Sequence, residues 1–155
     1  AYDYVNRLME QNRKNSALLS AKPTETNAAA ERMAEELAGV KYRVSQLENE
    51  LFALKAKAYA GMADVLLFES AMSPDAVRRF ADAILAGCTG RIAIFAGDDE
   101  AGYKYALCQK DGDLRQTVKA LNAACNGRGG GKPFFAQGSV QASRAQLEAF
   151  FASLG

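Results

Sequence analysis

No histidine occurs in this chain of 155 residues, and proline and cysteine appear only three times each. The missing histidine removes the commonest general base, the usual partner of a nucleophilic Ser or Cys, and the commonest zinc ligand, so most hydrolytic mechanisms are out of reach. Cys88, Cys108 and Cys125 are odd in number, widely spaced and form no C-x-x-C pair. They read as reduced, buried thiols rather than a disulfide frame or a metal site, a pattern that fits a cytoplasmic protein. No apolar run approaches the length of a membrane span and no signal-peptide pattern precedes the first charged residues, so no membrane partner is expected. The chain opens on Ala1 inside an apparent helix, and we expect it to be a piece of a longer protein.

What is present is a hydrophobic fraction of 49%, enough for one packed domain plus an appendage, and a net charge of only +1. That charge is unevenly spread. Residues 1–60 carry 9 basic and 8 acidic side chains, residues 61–112 carry 5 and 8, and residues 113–155 carry 5 and 2. Only the last segment is clearly basic, with Arg115, Lys119, Arg128, Lys132 and Arg144 against Asp113 and Glu148. Such asymmetry favours a local anionic partner over a generally adhesive surface.

The first third is helical. An amphipathic stretch from Tyr2 to Leu19 is broken by Ser20-Ala21-Lys22-Pro23-Thr24-Glu25, with Pro23 near the start of the next helix. Met33, Leu37, Val40, Val44, Leu47, Leu51, Leu54 and Ala58 then follow at alternating steps of four and three, a heptad seam. A helix from Thr24 to Tyr59 is about 54 Å long at 1.5 Å per residue, more than a small domain needs internally, so it should project as a coiled-coil arm. Val5, Leu8, Leu18 and Leu19 can cover part of its seam by folding back as a hairpin. The shorter first helix leaves the rest, and Leu37, Val40, Val44, Leu47, Leu51 and Leu54 are the candidate oligomerisation residues, with a homodimer as one outcome.

From Gly61 the pattern changes. Ala63 to Phe68 reads as a strand, Ser73-Pro74-Asp75 as a helix start, Arg91 to Ala96 as a central strand and Tyr103 to Cys108 as an alternating strand. Asp113 and Gln116 read as the cap of a helix bearing Leu114, Val118 and Leu121, Phe134 to Val140 as a strand, and Ser143 with Gln146 as a capping box opening a last helix. The expected architecture is α+β: a helical arm over residues 1–60, then a small mixed-sheet domain over 61–155 in the order β-α-β-β-α-β-α.

Between the helix bearing Leu114, Val118 and Leu121 and the strand Phe134 to Val140 lies Gly129-Gly130-Gly131-Lys132-Pro133. A backbone without side chains can bring its N–H groups against a phosphate, and Arg128 and Lys132 supply countercharge. Gln137 can add a polar contact, and Lys119 and Arg115 can extend the basic surface. A flexible linker is the alternative, but Pro133 stiffens the exit and no serine accompanies the glycines. Asp98-Asp99-Glu100 reads as a solvated turn, and Tyr103 and Tyr105, two apart, as one packed face of a strand rather than a base-stacking pair.

The run Gly129-Gly130-Gly131-Lys132-Pro133-Phe134-Phe135-Ala136-Gln137-Gly138 resembles the G-G-G-x-P-x-x-A-Q signature of the DHH-associated domain at the C-terminus of alanyl-tRNA synthetases and alanyl-tRNA editing proteins. Leu18 to Glu25, leading into the heptad helix, is similar to the stretch that follows the editing domain there. The resemblance implies a non-catalytic region that holds tRNA, tRNA(Ala) in that family, and associates subunits through its arm. It also implies that zinc belongs only to a separate editing domain, leaving no cofactor for this chain. Related exonucleases of the DHH class carry His after the triple glycine, where Lys132 stands here. Phe134-Phe135 and a single Gly138 depart from the synthetase pattern. Two alternatives stand beside this reading: a dimerisation module whose glycine loop is structural, and the substrate-binding domain of a DHH phosphoesterase.

Overall fold

A computed structural model describes all of residues 1–155, and it divides into two compact units, Ala1–Gln46 and Leu47–Gly155. In the first unit, helix α1 (Tyr2–Leu18) ends in a turn where Ser20 takes a positive φ of 49° and the Ser16 hydroxyl donates to the Ala21 carbonyl. Helix α2 (Thr26–Ala56) starts beyond Pro23. Ala29 is the only residue of the first unit that is buried, and α1 buries none of its own. Val5 and Leu8 stay half exposed and Leu18 is 80% exposed, so α1 does not cover the seam residues Met33, Leu37 and Val40, each 54% exposed.

The second unit begins inside α2 because the last turns of that helix are part of its core. Phe52, one position off the seam, is buried and stacks on Phe80 with ring centroids 4.7 Å apart. Burying such a side chain stabilises by about 1.5–3 kcal/mol. Glu48 receives Arg79 at 2.6 Å, and Lys55 meets Glu69 at 2.8 Å. Leu47, Leu51 and Leu54 lie on another side of the helix and remain exposed. A short 3-10 turn, Lys57–Tyr59, closes it.

The sheet of the second unit contains β1 (Val65–Glu69), β2 (Ile92–Asp98), β3 (Gly102–Cys108), β4 (Gly127–Lys132) and β5 (Phe135–Val140) in the spatial order β1-β2-β3-β5-β4. β1 and β2 are parallel and joined through α3 (Pro74–Leu85), and the remaining pairs are antiparallel. Ser73 caps α3 by accepting the Ala76 N–H at 3.1 Å, with Pro74 at the first helical position. Helix α5 (Arg144–Ser153) opens on the expected Ser143/Gln146 capping box. Helix α4 (Arg115–Ala124) starts differently from expectation: Leu114 holds the cap position, and the Asp113 carboxylate accepts the Arg115 N–H instead of pairing with Gln116.

Strand parity sorts the core into two layers. Ile92, Ile94, Ala106 and Cys108 face α3 and Phe52, whereas Ala93, Phe95, Tyr105, Leu107 and Ala136 face α4 and α5. The α+β class with a mixed sheet is as expected, but the sheet has one more strand, and the order within the unit is β-α-β-β-α-β-β-α. The added strand is the glycine run itself. Expected as a loop, Gly127–Lys132 pairs along its whole length with β5 across a two-residue turn, Pro133-Phe134. Glycine carries no strand propensity, so the pairing is imposed by the turn and by the close fit against β5.

Candidate nucleic-acid interface

β4 is an edge strand, and its backbone is exposed from Arg128 to Lys132. Its glycines let it approach β5 closely. A Cβ at Gly129 would sit 2.6 Å from the Gly138 Cα and 2.5 Å from the Tyr105 hydroxyl, and one at Gly131 would sit 2.7 Å from the Ala136 Cα. Gly129 also takes the positive φ of 158°. Gly130 is different: a Cβ there meets nothing within 4 Å. The strand is tied to α4 by a relay in which the Tyr105 hydroxyl donates to Asn122 Oδ1, and Asn122 Nδ2 donates to the Gly129 carbonyl, each at 3.1 Å. The turn is fixed as well, since the Pro133 carbonyl accepts the Leu114 N–H at 2.7 Å and the Phe134 carbonyl accepts the Gln109 N–H at 3.1 Å.

Two clefts flank this strand, one on each face of the sheet. The first, of about 290 Å³, runs between α4 and β4 and is lined by Arg115, Lys119, Asn122, the three glycines and Lys132. It gathers six of the eight residues expected to bind an anion. Arg128 and Gln137 are outside it; strand parity turns both to the α3 face, the face of Lys132 as well, although Lys132 at the strand end lines both clefts. On that face the register builds one polar cross-strand row, Lys104–Ser139–Arg128, followed by Ala106–Gln137–Gly130 and then Cys108–Phe135–Lys132. Lys104 and Arg128, two strands apart, have Cα atoms about 10 Å from each other, and Arg128 and Lys132 about 13 Å along the strand. The second cleft, of about 490 Å³, lies on this face between α3 and the β4–β5 hairpin, with Arg78, Asp82, Gln109, Lys132 and Phe134 in its walls.

The cations differ in availability. Arg115 is clasped by Asp113, with Nη2–Oδ2 at 2.6 Å and Nε at 3.0 Å from both oxygens, and that clasp pulls the Asp113 carboxyl down to about 2. Arg144 is held by Glu148 at 2.8 Å. Lys104, Lys119, Arg128 and Lys132 make no ion pair within the chain. Their charge is therefore free to meet an external anion. Sequence reasoning did not include Lys104, Arg78 or Phe134 in the site. The only available signal for Lys104 was its place between two tyrosines that face the other way.

Other candidates settle as packing. Tyr103 and Tyr105 are buried, with the Tyr103 hydroxyl donating to Asp99 at 2.7 Å. Asp98 accepts the N–H groups of Glu100 and Ala101 and so shapes its own turn. The three cysteines are free and buried, and burial pushes the Cys108 thiol up to about 12. Nowhere do three or more Cys, Asp or Glu side chains converge to hold a metal ion. No helix is long and apolar enough to cross a membrane.

The family model described as the DHHA1 domain matches residues 58–154. Among solved structures, the C-Ala domain of Aquifex aeolicus alanyl-tRNA synthetase is similar to this chain at 16% sequence identity and a TM-score of 0.49, over 61% of this chain and 90% of that one. No curated protein matches.

Proposed function

The chain belongs to the DHHA1 domain family, and from that premise we propose that it is a non-catalytic RNA-binding region of an alanyl-tRNA synthetase-like or alanyl-tRNA editing protein, holding tRNA by its phosphates. The observation that carries this reading is the bare edge strand β4, flanked by Lys119 on one face and by Arg128 and Lys104 on the other, with Lys132 lining the clefts on both, all four without ion-pair partners inside the chain. Phosphate oxygens can come within reach of these cations because the glycines add no side chains between them. Lys132, where DHH-class exonucleases carry His, favours the synthetase-like branch over the phosphoesterase one. Buried, unactivated thiols and the lack of histidine support a binding rather than a reacting site, and the reading needs no cofactor. A cytoplasmic setting suits the three free thiols.

Titrating folded tRNA into the chain at several salt concentrations tests this. Affinity should fall as salt rises, with a log–log slope of a few units. Lys132→Ala and Lys119→Ala should each flatten that slope by about one unit, and Arg115→Ala should change it less because Asp113 already holds that guanidinium. A salt-independent or absent interaction would refute the reading.

A second reading has its own observation. The seam residues Leu37, Val40, Val44, Leu47, Leu51 and Leu54 are each about half exposed, and exposed apolar rows of this regularity are suited to pairing with a second copy of the helix. Subunit association through α2 is compatible with RNA binding. It stands alone as the function only if the glycine strand serves packing and nothing else.

A further inference from the structure

We propose that the cleft between α3 and the β4–β5 hairpin receives one unpaired nucleobase of the bound RNA, stacked on Phe134. The inference rests on the RNA-binding reading above and specifies what that surface recognises. Phe134 is 54% exposed, and it is the only exposed aromatic side chain in the second unit. It is not on a mobile tail: both carbonyls of its turn accept backbone N–H groups from Leu114 and Gln109, so the ring is presented by a fixed backbone. Stacking platforms of this kind bind bases whatever their sequence, because every base has a π-face.

The rest of the cleft suits a base attached to a phosphate chain. Its volume of about 490 Å³ falls in the range of small-molecule pockets, roughly 300–1,000 Å³. Leu85 and Phe135 give it an apolar floor, and the unpaired Lys132 stands at its rim beside Gly130, where no side chain obstructs a strand passing over the edge. Asp82 and Gln109 offer acceptors and a donor for the base edge. Asp82 is engaged only loosely by Arg78, at 3.8 Å, so its carboxylate retains free lone pairs. The row from Arg128 to Lys104 continues the positive charge along the same face, in the direction a phosphate backbone leaving the cleft would take. A peptide with an aromatic side chain would meet the same ring, but three unpaired cations on this one face, Lys132, Arg128 and Lys104, favour a polyanion.

The test uses the full chain and a five-nucleotide unstructured RNA carrying 2-aminopurine at its centre, compared with a ribose-phosphate chain of equal length without bases. The protein has no tryptophan, so the probe's fluorescence is read against a dark background. Wild type should quench the 2-aminopurine and bind the intact strand at least about fivefold more tightly than the abasic one. Phe134→Ala should abolish the quenching and the preference, while Phe134→Tyr keeps both and melting temperatures stay the same. Equal affinity for the two strands, or quenching that survives Phe134→Ala, would overturn the nucleobase proposal. If that happens while Lys132→Ala still flattens the salt dependence, phosphate binding stands without a base pocket. If neither strand binds in a salt-dependent way, both fail.

Discussion

Gly130 and its two neighbours share one residue type but not one reason for it. Gly129 and Gly131 are glycine because a methyl group would strike the β5 backbone, whereas Gly130 faces open space on the α3 side. Gly129→Ala and Gly131→Ala should therefore each lower stability by about 1–3 kcal/mol, the usual cost of forcing volume into a closed contact. Gly130→Ala should leave the melting temperature within about 2 °C of wild type. If phosphates lie against the strand, that same silent substitution should still weaken RNA binding, because the added methyl group holds them off the backbone. Urea unfolding and an RNA titration on the three variants separate the two roles. Destabilisation by Gly130→Ala, or RNA binding that ignores it, would contradict the assignment.

Elements differ in how plainly they were written in the sequence. Helices α3 and α5 could be placed because Ser73-Pro74 and the Ser143/Gln146 box are local hydrogen-bonding devices that need no tertiary partner. β4 could not, because three glycines show no alternation and a strand without side chains is recognisable only from the partner it pairs with. The site shares that limit. Arg115, Lys119 and Lys132 were found as a basic cluster, but Lys104 and Arg78 join the surface only through register and through the packing of α3. On α2 the heptad seam was legible from its spacing, while the buried role of Phe52, one position off it, was not. The seam yields a prediction of its own. Leu47→Lys with Leu51→Lys should cost the isolated chain little, since both side chains are already about half exposed. If the seam pairs two copies, the double variant should sediment as a monomer at concentrations where wild type dimerises. Wild type that stays monomeric at every accessible concentration would remove the pairing.

At the scale of the whole molecule, the missing histidine, two hydrogen-bonded surface carboxylates and a set of buried thiols and phenols together set how stability responds to pH. Nothing in the chain's side chains ordinarily titrates between about pH 5 and 8, which histidine would otherwise cover. On the acid side, hydrogen bonds donated by the Tyr103 hydroxyl and the Arg144 N–H hold Asp99 below its usual range, and the Arg115 clasp does the same for Asp113. Their folded pKa values are depressed, so their stabilisation is present above about pH 4 and is lost as pH falls toward 2. On the alkaline side the sign is opposite. Burial raises the Cys108 thiol from near 9, and the Tyr103 phenol from near 10, each to about 12. The folded state keeps these protons more tightly than the unfolded chain, so stability is full below about pH 9 and declines as pH climbs from there through 12. The melting temperature should accordingly be flat between pH 5 and 8 and fall above pH 9. Burial also raises the Tyr105 phenol and the Cys125 thiol. Cys108→Ala would carry a cavity cost at every pH but should make the alkaline fall shallower, because one of the most strongly held of these protons is gone. A step in stability near pH 6–7, or an alkaline limb whose steepness is unchanged in Cys108→Ala, would show that other groups govern the response.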